Sequence, residues 1–235
     1  MTPVHLTGIG MTAIGNHADT PVADLAVSAA TAALEDAGLS YHDVGEVFGS
    51  SMLSPPQTAL RVAHALGRTT APVTAIESAS AGGLVALRHA AWAVWSGRCD
   101  VALAIGYEKT TSLEPGGVVP APTGEWDRFP PQLHYAIEAT RWMHDRGCGP
   151  EVIAAVAAAS WNHARLNPLA ARRRDDEVTV EEVLAARMVA TPLTRMMCHT
   201  AADGAAAIVV TREPGERSVR LLSVEQTSQP EDPGW

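Results

Sequence analysis

Positive charge is scarce in this chain: 17 lysines and arginines stand against 26 acidic residues, a formal net charge of −9. That balance works against binding to the phosphate backbone of a nucleic acid, and an anionic substrate would need a local basic site. Cysteine is scarce as well. Cys99, Cys148 and Cys198 form an odd, widely spaced set without a CxxC pair, so neither a disulfide framework nor a structural metal is indicated. A reducing, cytoplasmic compartment is expected. The opening MTPVHLTGIGMTAIG lacks a basic stretch followed by an apolar one, and no apolar run approaches a membrane span, so secretion and membrane insertion are not expected. Internal repeats and low-complexity tracts are also missing. What is present is a chain of 235 residues, 46% hydrophobic and only 18% charged, with material for a sizeable core in one large or two small domains.

The first 110 residues alternate strand and helix patterns. Val4 to Thr7 is a short apolar run ending at Gly8 and Gly10, after which Val22, Leu25, Ala26, Ala29, Ala33 and Leu34 follow helical spacing. Thr20 suits the cap of that helix, Pro21 its first position, and Gly38 the left-handed residue after its end. Glu46 to Ser51 and Val73 to Glu77 read as strands, Thr58 to Leu66 as a helix stopped by Gly67, and Ala81 to Trp95 as a third helix. The nearly continuous apolar run Asp100 to Gly106 fits a strand covered on both faces. From Ser112 to Pro131 the Pro and Gly density is that of an irregular loop that opens an inserted subdomain. Within the insertion, Tyr135–Arg146, Glu151–Leu166 and Val180–Met188 are helical, and Thr179 with Glu182 fits a capping box. Strand character returns at Ala205–Thr211 and Val219–Val224, before the polar ending SQPEDPGW, which reads as frayed.

Two short motifs carry possible chemistry. Gly8-x-Gly10-x-x-Ala13 after a strand superficially fits a dinucleotide fingerprint. Its glycines do not open a helix directly, however, and no acid follows a second strand to hold a ribose. The junction Ile76-Glu77-Ser78-Ala79-Ser80-Ala81-Gly82-Gly83-Leu84 turns a strand straight into an apolar helix. A nucleophile there would face unpaired N–H groups and the positive end of the helix dipole, which stabilise a developing anion during acyl chemistry. The alternative is that small residues simply pack a buried turn.

Longer motifs bear on that choice. Val4–Ile14, VHLTGIGMTAI, resembles the opening strand of the thiolase superfamily, Ile76–Leu84 its VENACASG-like nucleophile turn, and DVALAIGYEKTT the strand that follows. The segment Ser160 to Ala170, SWNHARLNPLA, is similar to NHxxAxxNPxA of the sterol-carrier-protein-x or lipid-transfer-protein thiolase branch. It is followed by TVEEVLAARMVATPLT and CHTAADGAAAIVV, the latter close to that branch's CxxxDGAAAxV strand. The resemblance implies an α/β fold: a thiolase-like N-terminal half, a βαβαβ mixed sheet with helices on both faces, carrying an inserted helical loop domain. Residues 1–110 and 191–213 would be the α/β domain, 111–190 the loop domain, and 214–235 the first strand of a second half with a tail. Three ordered motifs at family spacing are hard to obtain by chance.

The resemblance also implies substrates that are CoA or acyl-carrier thioesters, with no bound cofactor, and carbon–carbon bond formation or cleavage. In this alignment Ser80 stands where the family has its acyl-accepting cysteine. A thiol near a helix N-terminus is readily a thiolate, whereas a serine hydroxyl stays neutral and needs a base. His163 and Asn167 belong to the loop-domain motif, where packing and capping explain them as well as substrate contact does. Arg172 and Arg173, beside Arg174, are candidates for CoA phosphates or a solvated basic turn. The family's later HDxF or NEAF-like loop, its general-base histidine segment and its CxG cysteine have no counterpart here. The helix Ala81–Trp95 is apolar nearly all round, as a doubly covered helix should be, so half a fold would leave it open. The expected partner is a second chain supplying the thiolase C-terminal half or an OB-fold protein of the DUF35 type, in a homodimer or heterotetramer joined near Val73–Ser78. The competing expectation is a scaffold or gating subunit without catalysis of its own.

Overall fold

The computed structural model describes residues 3–111 and 131–228. The strand β1 (Val4–Met11) leads to helix α1 (Val22–Ala37), then β2 (Glu46–Ser50), α2 (Thr58–Leu66), β3 (Val73–Ile76), α3 (Gly82–Trp95) and β4 (Val101–Lys109). Helices α4 (Pro131–Arg146), α5 (Pro150–Leu166) and α6 (Val180–Ala185) follow, then the short strands β5 (Met188–Ala190) and β6 (Leu193–Thr194). Strands β7 (Asp203–Thr211) and β8 (Val219–Leu221) close the described chain. Two compact units result: Met1–Ser112 with Ala202–Gln229, and a second within Leu113–Ala201. The Pro- and Gly-rich segment after Ser112 and the last residues of the polar ending lie outside the described residues. No described helix is long and apolar enough to cross a membrane.

The first unit is a six-stranded mixed sheet in the order β3-β2-β4-β7-β1-β8. Strands β2, β3 and β4 run parallel, and β7 is antiparallel to both β4 and β1. The carboxyl ends of β1, β2, β3 and β4 therefore share one end of the sheet. Helices α1 and α2 cover one face, where Leu25, Leu34 and Val62 meet Leu103, Ile105 and Val209. Helix α3 covers the other, with Ala86, Ala90 and Val94 against Phe48, Ala102, Ala104 and Val210. Because both faces of β4 are covered, its sequence is apolar without alternation.

Several boundaries differ from the sequence pattern for physical reasons. Strand β1 does not stop at Thr7. It pairs with β7 as far as Met11↔Ala206, and Gly8 and Gly10 lie beneath α1. A Cβ on Gly8 would sit 2.7 Å from the Ala37 backbone nitrogen, and one on Gly10 2.5 Å from that of Ala33. These glycines are there for strand–helix contact, which removes the dinucleotide reading of the motif. Gly8→Ala is expected to destabilise the fold by about 3 kcal/mol, the upper end of overpacking costs, because the obstacle is backbone. Urea unfolding of the full chain measures it. Helix α1 also opens one residue late, with Pro21 as its cap and no side-chain capping bond, while Gly38 takes the expected left-handed conformation at φ 68°. Strand β8 pairs with β1 in the same sheet, so the segment after residue 213 packs within the first unit.

The second unit centres on Ala154, Ala158, Val178 and Val183, with Trp161, Met196 and Met197 packed around them. Only half of the expected capping box forms. Thr179 Oγ1 accepts the Glu182 N–H at 3.2 Å, whereas the Glu182 carboxylate pairs with Arg174 at 2.5 Å. Helix α6 ends at Ala185 because Met188–Ala190 is taken into a hairpin with Leu193–Thr194. That hairpin draws residues 191–201 into this unit, so the division falls at Ala201/Ala202, later than the sequence suggests.

Candidate active site

Ser80 lies at the carboxyl end of the parallel strands. After β3 the chain passes through Glu77 and Ser78 into a single 3-10 turn, Ala79–Ala81, and then directly into α3. Ala79 has φ +43°, a left-handed conformation that a residue with a Cβ adopts only at a cost of about 1–3 kcal/mol. The Ala79 N–H donates to Glu77 Oε1 at 2.7 Å, and the Ala81 N–H to the Ser78 carbonyl at 3.0 Å, which hold the turn in place. Ser80 is exposed, and among the described residues its hydroxyl has no hydrogen-bond partner. The glycines after it permit close packing. A Cβ on Gly82 would collide with Ser50 Oγ, and Gly83 faces Gly106 of β4, where a Cβ would come within 3.4 Å of the Gly83 Cα.

The loops around this end of the sheet are held by groups that the sequence reading did not single out. Asp203 is fully buried and accepts from the Thr111 N–H at 2.8 Å, the Thr111 hydroxyl at 2.6 Å and the His17 N–H at 3.0 Å. Burial pushes its carboxyl up, but these bonds and the Lys109 charge outweigh that and hold it below its ordinary value. Lys109, the only lysine in the sequence, spends its ammonium on the carbonyls of His17, Ala18 and Thr20 at 2.7, 2.9 and 3.0 Å. Glu108 accepts from Ser51 Oγ at 2.9 Å and the Met52 N–H at 2.7 Å, fixing the loop after β2. A motif search could have flagged Asp203 within CHTAADGAAAIVV, but nothing in the spacing pairs it with Thr111 or His17.

Cys99 and Cys198 are poor nucleophiles. Burial, followed by the Glu46 carboxylate, pushes Cys99 up to about 11, and burial also raises Cys198, so both stay protonated at neutral pH. Among the described residues no group of three His, Cys, Asp or Glu gathers to hold a metal.

In the second unit the expected residues separate. His163 is exposed and makes no hydrogen bond among the described residues. Asn167 sits at the C-cap of α5, where its side chain accepts the Leu169 N–H at 3.0 Å. Structural roles within the motif fall instead to its neighbours. Asn162 clamps Val178 through both the N–H and the carbonyl at 2.9 Å, and Trp161 Nε1 donates to the Met196 carbonyl at 3.0 Å. Arg172 donates to the Cys198 carbonyl at 3.0 Å and lies 5.5 Å from the Trp161 ring centroid. It shares a hollow of about 400 Å³ with Arg173, Arg174, Arg187 and Arg195. Burial and the Arg195 charge pull Arg172 below its usual range, as expected when cations crowd. Among the described residues Arg173, Arg187 and Arg195 have no ion-pair partner.

Residues 4–119 match the family model described as Thiolase, N-terminal domain. The first unit is a thiolase N-terminal domain. Relatives of this thiolase domain include the acetyl-CoA acetyltransferase of Methanothermobacter thermautotrophicus, 33% identical over 221 residues, which cover 89% of this chain and 57% of that protein. Sterol carrier protein 2 of Gallus gallus is 30% identical over 238 residues, covering 89% of this chain and 41% of the relative. The chain thus spans about half the length of the curated relatives it matches. Among solved structures, the one titled "Ltp2-ChsH2(DUF35) aldolase" superposes with a TM-score of 0.73 at 25% identity, over 89% of this chain and 56% of that one. The thiolase-type fold expected from the sequence is the one observed.

Proposed function

We propose that this chain is one subunit of a split thiolase-like enzyme acting on acyl-CoA or acyl-carrier thioesters, with an active site completed by a second chain. The observation that carries this reading is Ser80 on a strained strand-to-helix turn at the carboxyl end of the parallel strands, at the amino-terminal, positive end of α3. Ser80 Oγ attacks the thioester carbonyl, its proton passes to a base on the completing chain, and the thiolate leaves, so the acyl group rests as an ester on Ser80. The positive end of the α3 dipole stabilises the oxyanion. The relatives' names include an acetyltransferase and the solved neighbour's title an aldolase, which support carbon–carbon chemistry on acyl thioesters as the class. Either a thiolase-like second half or an OB-fold DUF35-type protein fits as the completing chain. The edge strand β3, which pairs with β2 alone among the described strands, suits pairing with a second copy in a homodimer or heterotetramer.

The arginine hollow supports phosphate binding. In this reading Arg172 and Arg173, with Arg195, bind the CoA phosphates. Arg173→Ala is expected to raise KM for an acyl-CoA about tenfold with kcat unchanged, since a lost charge-assisted bond is worth roughly 1.5–3 kcal/mol and acts equally on ground and transition states. Steady-state kinetics of the reconstituted complex decide it, and a fall in kcat instead would remove these arginines from the binding role.

One observation favours a second reading. Ser80 Oγ has no base within hydrogen-bond reach among the described residues, as expected if the chain only shapes and gates a partner's site. The decisive experiment incubates the reconstituted complex with an acyl-CoA and reads the intact mass of this chain. An acyl adduct mapped to Ser80 supports the covalent reading, and turnover without any adduct at Ser80 supports the gating role.

A further inference from the structure

Helices α4 and α5 form a hairpin. Three residues, Gly147-Cys148-Gly149, join them, and Gly147 takes the left-handed conformation that ends α4, at φ +61°. Between the two helices runs a groove of about 510 Å³, with Tyr135, Ala139 and Trp142 on the α4 side and Val152, Ile153 and Val156 on the other. It is open to solvent: Tyr135 is 56% exposed, Trp142 43% and Val156 66%. The core of this unit meets α5 through Ala154 and Ala158, on the opposite side from the groove. A hairpin with an unfilled apolar inner face is half of a four-helix bundle. One flank of α4 carries charge in a definite order. His134 Nε2 lies 3.0 Å from Glu138 Oε1 and Arg141 Nε 2.8 Å from Asp145 Oδ2, both i,i+4 pairs. Along the helix the row reads base, acid, base, acid, and the four positions fall within about 60° of one another at 3.6 residues per turn. Glu138, Arg141 and Asp145 also line the groove.

We infer that this groove is the docking surface for a second copy of this chain, whose α4 lies antiparallel to the first about a two-fold axis passing between Ala139 and Thr140. Charge decides the occupant. The axis turns base, acid, base, acid into acid, base, acid, base, so Glu138 meets the second copy's Arg141 and His134 meets its Asp145, each pair formed twice. A parallel pairing in register would set like against like. An unrelated partner imposes no such order on α4, whereas a contact between identical surfaces demands self-complementarity. Ala139 has the smallest side chain on the groove side of α4 and stands at the axis, where the two helices must approach most closely. Tyr135 and Trp142, on either side of it, supply the aromatic area that such a contact buries. Two hairpins joined in this way make the groove the interior of a four-helix bundle. The contact is separate from the edge of β3 and does not depend on the chemistry at Ser80.

The test introduces Ala139→Cys into the full chain, treats the purified protein with the short cross-linker bismaleimidoethane, and maps the linked peptides by mass spectrometry. The expected result is a link between the introduced cysteines of two copies, while His144→Cys, on the opposite side of α4, gives no link between copies at that position. In the Ala139→Cys background, Glu138→Arg or Arg141→Glu alone lowers the yield at least tenfold, because each reversal sets like charges together on both sides of the axis. Glu138→Arg with Arg141→Glu in the same chain restores most of it, since the reversed row is again self-complementary. That rescue separates loss of the contact from loss of folding. No link between two copies at position 139, a link there only to a different protein or within one chain, a yield indifferent to the single reversals, or a double reversal that restores nothing each overturn the inference. Ser80→Ala leaves the link intact, so failure of this contact and failure of the acyl-serine chemistry are told apart.

Discussion

Asp203→Asn is expected to destabilise the chain by about 3 kcal/mol, the cost of leaving buried donors unpaired at a formerly charged site. The carboxylate accepts three hydrogen bonds on its two oxygens, two from Thr111 and one from His17. An asparagine turns one of those oxygens into a donor aimed at another donor. Three segments meet here: the loop after β1, the residues after β4, and the start of β7. Its loss therefore loosens the end of the sheet that carries Ser80. The pH dependence has a definite sign. The folded state holds Asp203 below its ordinary value, so the stabilisation is complete above the unfolded value of about 3.9 and is lost as pH falls through the folded one. The gap between wild type and Asp203→Asn should shrink as acid unfolding is followed below about pH 4. A gap that stays constant into acid would show that the carboxylate's charge contributes nothing. Urea midpoints from pH 7 down to pH 3 provide the measurement.

Ser80 is where the largest change in activity is expected. In the reconstituted complex Ser80→Ala should lower acyl transfer at least about 10³-fold, the scale of losing a covalent nucleophile. Ser80→Cys should restore or exceed the wild-type rate, because a thiol at a helix N-terminus ionises readily and a thioester passes its acyl group on more easily than an ester. The exposed, unpartnered hydroxyl leaves room for sulfur. A gating subunit predicts the opposite pattern, with both variants within about twofold of wild type, since shape at this position changes little between Ser, Ala and Cys. Single-turnover assays with a labelled acyl-CoA separate the two.

Local pattern carried much of the architecture. Helical spacing and punctuating glycines delimited α2 and α5, and the unbroken apolar run of β4 announced a strand covered on both faces. The ordered motifs pointed to the thiolase fold because each combines a local element with its turn chemistry. The pattern failed where an element owes its extent to a distant neighbour. Strand β1 runs past two glycines because α1 lies against them and β7 pairs beyond them, and helix α6 stops short because β6 claims Met188–Ala190. No local propensity encodes either contact.

The site divides along the same line. By itself the amino-acid order determined that Ser80 occupies a small-residue turn between a strand and an apolar helix, and that Arg172 and Arg173 stand in a basic run. Only the tertiary structure decided that Arg187 and Arg195 join them in one hollow, and that Asn162 and Trp161 hold the loop domain while His163 faces solvent. It also decided that Asp203, Glu108 and Lys109 clamp the loops around Ser80. Turn and helix preferences act over a few neighbouring residues and can be read in order, whereas hydrogen bonds such as Asp203 to His17 span 186 residues and exist only once the sheet has brought their partners together.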